Sequence, residues 1–182
     1  MFSFPISDQA ELRLLEVRHA EALYRLTDES RQHIREWLPW ADYRLSPADS
    51  KKFIDSTLEQ FRSNSGFQAG IWFNGELAGI IGLHGINWTN KSTTFGYWLG
   101  EHHQGKGLMT AACRAAMAYC FDELGLNRIE IRAATGNVKS QAIPERLGFT
   151  NEGRLRQAEW IHDRFVDHFI YSKLKEEHEA ER

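Results

Sequence analysis

His102-His-Gln-Gly-Lys-Gly-Leu-Met-Thr110 is the stretch of the chain that says most about its fold. It lies between a segment rich in threonine and aromatic residues, 92–99, and the longest helical pattern, 108–124. Glycine lets a backbone approach a ligand closely, and the first turn of a helix offers unpaired N–H groups and the positive end of its dipole. The stretch therefore predicts an anion-binding loop, and a pyrophosphate would suit it.

The spacing of the glycines narrows the choice of ligand. Gln104-Gly-Lys-Gly107 lacks the Gly-x-x-x-x-Gly-Lys-Ser/Thr pattern of nucleotide-hydrolysing phosphate loops and the Gly-x-Gly-x-x-Gly pattern of dinucleotide sites. Coenzyme A is the ligand that we expect. A plain loop before a helix is the alternative, although one glycine would suffice there.

On both sides of this loop the sequence alternates between strand and helix patterns. Asn74-Gly75 is a strong signal for a two-residue hairpin turn, and Ser46-Pro-Ala-Asp49 is typical of a helix start. The predicted strands are 11–17, 67–73, 77–84, 92–99, 128–134, 149–160 and 165–174, the predicted helices are 18–31, 46–64, 108–124 and 140–147, and a helical turn is predicted at 34–40. This order predicts an α+β fold with one domain over residues 1–175 and a charged tail, 176–182, that frays.

Composition excludes several classes of protein. With 22 Lys and Arg against 25 Asp and Glu, the 182-residue chain has a formal net charge of −3 and no bulk attraction for nucleic acid. No apolar run is long enough to span a bilayer, and the first residues lack the pattern of a signal peptide. Cys113 and Cys120 share one face of a predicted helix and are expected to be buried apolar residues. We therefore expect a cytoplasmic protein with neither a nucleic-acid nor a membrane partner.

Two motifs together carry a resemblance to a known family. Gln104-Gly-Lys-Gly107 resembles the Gln/Arg-x-x-Gly-x-Gly/Ala signature with which GNAT acetyltransferases hold the pyrophosphate of acetyl-CoA. Asn137-Val-Lys-Ser140 and Glu145-Arg-Leu-Gly-Phe149 are similar to the second signature of that family, Asn-x-x-Ala/Ser followed by Glu-Lys-Leu-Gly-Phe. The resemblance implies a mixed, mostly antiparallel sheet flanked by helices, and acetyl-CoA as the co-substrate.

Further segments resemble one branch of the family, the ribosomal-protein N-terminal (serine/alanine) acetyltransferases represented by RimL and RimJ. They are Ser92 to Gly100, Glu36-Trp-Leu-Pro-Trp40 and Gly153 to Trp160. The resemblance implies that acetyl passes from acetyl-CoA to the N-terminal amine of a ribosomal protein, by direct attack of the amine on the thioester. The oligomeric state is left open, with a homodimer among the states considered.

The same resemblance implies the catalytic residues. Glu159 matches the glutamate proposed as the base in this branch, and Ser140 matches the serine proposed to protonate the departing thiolate. Many family members use a tyrosine for that second task, but Pro144 stands at its position here. The alternatives are that Ser140 only caps a helix and that Glu159 is an exposed strand-end carboxylate.

Cofactor and acceptor contacts are implied at further positions. The backbone of Trp98 and Leu99 is expected to face the carbonyl and the pantetheine arm, and Asn137 is expected to bind that arm. The aromatic residues Trp37, Trp40 and Trp160 are candidates for acceptor binding. The expected pyrophosphate loop is Gln104, Gly105, Lys106, Gly107, Leu108, Met109 and Thr110.

No metal is expected, because the adjacent histidines of Glu101-His-His103 point apart and no partner cluster is evident. Two other functions stay open. One is acetylation of a small amine such as a polyamine, an aminoglycoside or an amino acid. The other is a catalytically silent module that only binds coenzyme A, which the missing tyrosine at position 144 keeps in consideration.

Overall fold

Eight strands form one sheet in the computed structural model, which describes residues 3–181. The strands are β1 (Ser3–Ser7), β2 (Ala10–Leu14), β3 (Gln68–Phe73), β4 (Glu76–Asn87), β5 (Ser92–Leu99), β6 (Arg128–Ala134), β7 (Thr150–Ile161) and β8 (Arg164–Leu174). The helices are α1 (Ala20–Glu29), α2 (Arg31–Ile34), α3 (Pro47–Arg62), α4 (Leu108–Ala118), α5 (Val138–Arg146) and α6 (Lys175–Ala180).

The strand order is β1-β2-β3-β4-β5-β6-β8-β7, and every neighbouring pair is antiparallel except β5 and β6. This confirms the predicted α+β class and its mostly antiparallel sheet. The predicted hairpin joins β3 to β4, where Asn74 and Gly75 have φ values of 51° and 84°. Two positive φ angles in a two-residue turn match the twist of the flanking strands.

The parallel pair β5 and β6 separates before β5 ends. Pairing runs from Ser92 with Arg128 to Phe95 with Ile131, and the last four residues of β5, Gly96–Leu99, extend beyond it. Meanwhile β6 stays paired with β8 as far as Ala134. The sheet therefore opens as a wedge at the carboxyl end of β5, and α4 begins nine residues after that strand ends, at Leu108.

Helices cover both faces of the sheet. The apolar side of α4 packs on one face through Ala112, Cys113 and Met117, which belong to the main hydrophobic core. Cys113 and Cys120 are buried and free, as expected, and burial raises the pKa of both thiols. On the other face, Leu23 of α1 and Ile54 of α3 are fully buried.

Two terminal elements differ from the expectation. Strand β1 was not predicted, because Ser-Phe-Pro-Ile-Ser is mostly exposed, shows little alternation and contains a proline, which an edge strand tolerates. The expected frayed tail is helical from Lys175 to Ala180. The assignment of residues 1–175 to one domain stays a prediction.

The reason for an ordered tail lies in β8. The side chain of Lys173 is only 1% exposed, and its Nζ donates to the carbonyl oxygen of Gly148 at 3.1 Å and to the carboxylate of Glu181. The ring of His178 lies 5.1 Å from that of Phe121, between centroids. A buried ammonium needs such partners, so the tail is held to the domain. None of the helices within residues 3–181 has the length and apolar character needed to cross a membrane.

Candidate active site

The glycine loop enters α4 in a left-handed conformation. Gly105 and Gly107 have φ values of 74° and 73°, and Gly107 is the N-cap of α4. A Cβ at either glycine would meet no atom within 4 Å, so the space beside the loop is open. The first turn of α4 contains no acidic residue. Unpaired N–H groups, the helix dipole and open space together make a site for an anion.

Basic side chains from two helices surround this anion site. Lys139 Nζ donates to Gln104 Oε1 at 3.2 Å, and Arg146 Nη1 donates to Thr110 Oγ1 at 3.2 Å. Arg114 lines the same cleft. The sequence motifs did not indicate these three residues. Lys139 and Arg146 reach the loop only because α5 packs against α4, and Arg114 lies on α4 itself. Their positive charge fits the pyrophosphate of coenzyme A.

Asn137 and Ser140 lie at the start of α5 and have different roles. Asn137 is the N-cap, and its Oδ1 accepts from the backbone N–H of Ser140 at 3.2 Å. The oxygen of that amide is engaged by the cap, which leaves its NH₂ group to donate to a carbonyl of a bound pantetheine arm. The side chain of Ser140 is not the cap, and Ser140 lines the cleft, so its hydroxyl remains a candidate acid.

A hydrogen bond from Tyr97 links the open end of β5 to the start of α5. Its hydroxyl donates to the carbonyl oxygen of Ser140 at 3.0 Å, and burial raises the pKa of the phenol. The neighbouring residues Trp98 and Leu99 lie where β5 has left β6, and both line the cleft. Backbone N–H groups at such an opening are suited to polarise a carbonyl oxygen.

A carboxylate–imidazole pair also lines the cleft. Nε2 of His168, in β8, lies 2.9 Å from Oε2 of Glu159, in β7, with the ring nitrogen as donor. Both residues line the cleft, and the side chain of Glu159 is 38% exposed. Glu159 therefore reaches both solvent and the cleft, as a base for an incoming amine must. No sequence motif indicated His168, since β7–β8 pairing alone brings it to Glu159.

His84 is another residue of the cleft that the sequence did not single out. It lies in a bulge of β4, where Leu83 pairs with Phe95 and Ile86 with Thr93. Its ring lies over Gly96, where a Cβ would stand 1.8 Å from Nε2. Desolvation within the cleft lowers the pKa of this imidazole. The ring is therefore predominantly neutral near pH 7.

All these groups line one cleft of about 1720 Å³. Twelve of the residues that the sequence proposed for the site are brought together there. They are Trp37, Trp98, Leu99, Gln104, Gly105, Gly107, Leu108, Met109, Thr110, Asn137, Ser140 and Glu159. The anion site, the opening of β5 and the Glu159–His168 pair thus line the same cleft. This arrangement suits transfer of an acyl group from a large phosphorylated carrier to a second substrate.

Three proposed residues lie elsewhere. Lys106 Nζ donates to the carbonyl oxygen of His102 at 2.6 Å. Trp40 packs on Trp98, with 5.6 Å between ring centroids, and does not itself line the cleft. Trp160 follows Glu159 in β7, and successive side chains of a strand point to opposite faces. Its indole is therefore directed away from the Glu159 side, is 53% exposed and packs on Phe165.

Comparison with known proteins identifies the architecture. A family model described as acetyltransferase (GNAT) domain matches residues 10–150. The chain belongs to the GNAT acetyltransferase family. A similar relative is the putative ribosomal N-acetyltransferase YdaF of Bacillus subtilis (strain 168), which is 39% identical over 184 residues, 100% of each chain.

Other GNAT relatives carry more specific names. The ribosomal-protein-serine acetyltransferase of Escherichia coli (strain K12) is 28% identical over 93% of this chain and 94% of its own. A solved structure of RimL, a ribosomal L7/L12 alpha-N-protein acetyltransferase in complex with coenzyme A, has a TM-score of 0.92 at 27% identity, covering 95% of this chain and 98% of that one. The spermidine N(1)-acetyltransferase of Escherichia coli (strain K12) is 28% identical over 90% of this chain and 82% of its own.

The enzyme is therefore an acetyl-CoA-dependent N-acetyltransferase with a GNAT fold. The residues present fit this co-substrate, since the glycine loop, the first turn of α4 and the side chains of Lys139 and Arg146 form a positive cradle. Among the residues that the structure describes, no group of three or more His, Cys, Asp or Glu is placed to hold a metal ion.

Proposed function

We propose that this GNAT enzyme acetylates the N-terminal α-amine of a ribosomal protein, by direct attack of the amine on the thioester of acetyl-CoA. The names of its relatives support the acceptor class. A cytoplasmic location belongs to the same proposal, because ribosomal proteins are made and acetyl-CoA is used there. The oligomeric state stays open, with a homodimer among the states considered.

The charge of the cleft is the observation that carries the choice of acceptor. Its ionised residues are mostly cationic, and they are Arg114, Arg132, Lys139, Arg146 and Arg156, against the carboxylates Glu36 and Glu159. Glu159 is already paired with His168. Arg114, Lys139 and Arg146 surround the anion site and would be neutralised by the pyrophosphate. The rest of the lining then balances two cations, Arg132 and Arg156, against the two carboxylates, so it has no excess of negative charge to attract a polycation such as spermidine. A peptide presents a single α-amine, and one base is enough to deprotonate it.

The proposed roles follow from the geometry. An α-ammonium has a reference pKa of about 7.7 to 8.0, so Glu159 needs only to accept one proton from it. Backbone N–H groups near Trp98 and Leu99 would polarise the thioester carbonyl. Ser140 would donate a proton to the departing thiolate. The indole of Trp37 would form a wall of the acceptor side, where it already packs against Gly136.

A panel of acceptors tests this proposal. With acetyl-CoA fixed, release of free coenzyme A thiol is followed with peptides of a few residues that begin with Ser or Ala, and with spermidine and free amino acids. We expect the peptides to have the highest kcat/KM. Blocking the peptide N-terminus chemically should abolish the reaction, even when the peptide contains lysine.

The same panel decides between the two alternatives. A higher kcat/KM for spermidine or an amino acid would contradict the N-terminal proposal and favour a small-amine enzyme. Absence of thiol release with every amine, while acetyl-CoA still binds in calorimetric titration, would favour a silent coenzyme A-binding module.

A further inference from the structure

A bulge in β7 precedes Glu159. Leu155 pairs with His168 and Glu159 pairs with Val166, so β7 has two more residues in this interval than β8. Gln157, inside the bulge, has a φ of 50°, in the left-handed region that residues other than glycine seldom adopt. A bulge bends its strand and changes the direction of the side chains that follow.

Asp167 holds this bulge from the neighbouring strand. Its Oδ1 accepts from the backbone N–H of Gln157 at 2.6 Å, and its Oδ2 accepts from the guanidinium of Arg154. The N–H of Gln157 and then Arg154 lower the pKa of Asp167, so its carboxylate stays ionised at neutral pH. The carbonyl oxygen of Asp167 accepts from Thr135 N at 2.9 Å, which fixes β8 at this point to the end of β6.

The residue after Asp167 completes the arrangement. His168 binds the carboxylate of Glu159 at 2.9 Å. Two consecutive residues of β8 therefore hold this part of β7: Asp167 binds the backbone before Glu159, and His168 binds the Glu159 carboxylate. We propose that Asp167 and His168 are positioning residues that direct Glu159 into the cleft. The inference rests on the proposed function, in which Glu159 is the base.

The first experiment compares variants of Asp167. Asp167→Ala removes both interactions, and we expect kcat for a peptide acceptor to fall about tenfold to a hundredfold, the cost of misplacing a catalytic group by about 1 Å. The KM for acetyl-CoA should stay unchanged, because the hydrogen-bond partners described for Asp167, which are Arg154, Gln157 and Thr135, do not belong to the anion site. Asp167→Asn keeps an oxygen that accepts from Gln157 and should retain most of the activity. Arg154→Ala, which leaves the bulge N–H bonded, is the matched control and should stay near wild type.

A double-mutant cycle separates positioning from stability. If Asp167 acts through Glu159, Asp167→Ala should cost little further kcat in a Glu159→Gln background. Equal loss in both backgrounds would mean general damage to the fold and would overturn the inference. Wild-type kcat in Asp167→Ala would overturn it while leaving Glu159 as the base. Wild-type kcat in Glu159→Gln would overturn the base assignment and this inference with it.

A second pair of variants applies if Asp167→Ala does not fold. Gln157→Pro removes the bonded N–H and cannot adopt a φ of 50°, whereas Gln157→Gly keeps the N–H and adopts that φ without strain. We expect the proline variant to lose kcat as Asp167→Ala would and the glycine variant to keep it. Equal activity of the two would contradict the role of the bulge. For His168, substitution by Gln, which keeps a donor, should preserve more kcat than substitution by Phe, and the reverse order would exclude its role.

Discussion

At the scale of single residues, the helix cap is Asn137 and the proposed proton donor is Ser140. The sequence alone could not assign these two roles to different residues. The helix is capped by Asn137 through the backbone N–H of Ser140, so the hydroxyl of Ser140 is not needed to begin α5. Ser140 lines the cleft, and its carbonyl oxygen accepts from Tyr97 near the open end of β5. The hydroxyl of Ser140 can therefore be removed by substitution without removing the helix cap that Asn137 provides.

Ser140→Ala should lower kcat by about a hundredfold, the lower end of what general acid catalysis contributes, and leave the melting temperature unchanged. The reverse pattern is expected for Asn137→Ala, which loses a cap worth about 1 kcal/mol and a donor to pantetheine. It should melt earlier and show a higher KM for acetyl-CoA. Steady-state kinetics and thermal melts of both variants measure this. Unchanged kcat in Ser140→Ala would show that another group protonates the thiolate.

The residues that sequence could predict are those whose role depends on local chain geometry. Gly105, Gly107 and Asn137 act through backbone conformation and capping, which short motifs encode. Trp160 could not be placed, because its direction depends on which face of β7 follows the bulge. His168 has no signal of its own, since its role exists only through the pairing of β8 with β7.

At the scale of elements, the start of α4 is an anion site built from conformation and charge. Residue 107 must keep a left-handed φ, and the space beside it is open. Any non-glycine residue there incurs the same kind of backbone strain, so a pair of variants that differ only in charge isolates electrostatics.

Gly107→Glu should therefore bind acetyl-CoA at least about tenfold more weakly than Gly107→Gln, because only the first places a negative charge beside the pyrophosphate. Calorimetric titration of both variants measures the difference. Raising the salt concentration should narrow it, since salt screens exposed charges. Equal affinity of the two variants would argue that the pyrophosphate lies elsewhere.

The edge strand β7 is also held to β6 across β8. Glu152 accepts from Arg128 Nη1 at 2.9 Å and from Ser172 Oγ at 2.8 Å. Arg128 and then Ser172 lower the pKa of Glu152 from its usual 4.5 to about 2. A carboxyl group whose pKa is depressed by folding stabilises the fold above its unfolded pKa, and this contribution disappears as the pH falls through the folded pKa.

We expect the difference in melting temperature between the wild type and Glu152→Gln to depend on pH. At pH 7 the variant should melt at a lower temperature, and the difference should shrink as the pH falls from about 4.5 to about 2. Thermal melts over this range measure it, and comparing the two proteins cancels most other titrations. A difference that is constant with pH would indicate that the charge of Glu152 contributes nothing.

At the scale of the whole molecule, the two signature motifs and the element order were enough to predict one mixed sheet with helices. The terminal elements were not predicted, because β1 is an exposed edge strand with little alternation and α6 depends on a partner that its own charged residues do not indicate. For α6, that partner is the buried ammonium of Lys173. A run of charged residues gives no local indication that one of them binds a buried charge.

A chain that ends at Leu174 should consequently lose stability. It would keep Lys173 buried with only the carbonyl of Gly148, and removing one partner of a buried ion pair costs about 3–5 kcal/mol. We expect about half of that, because Glu181 is 55% exposed. Urea denaturation measures the change. In a Lys173→Met background the truncation should cost less, and an equal cost would contradict this explanation.

The wedge between β5 and β6 also has a consequence for amide hydrogen exchange. The amides of Gly96–Leu99 that point away from β4 lie in the middle of an eight-stranded sheet but beyond the last pairing with β6. Without a ligand they should exchange with solvent deuterium much faster than the amides of the paired residues just before them. Bound acetyl-CoA would cover them and slow their exchange. One strand would thus contain both some of the slowest and some of the fastest amides of the sheet, and the fast ones would report occupancy of the site with no acceptor present.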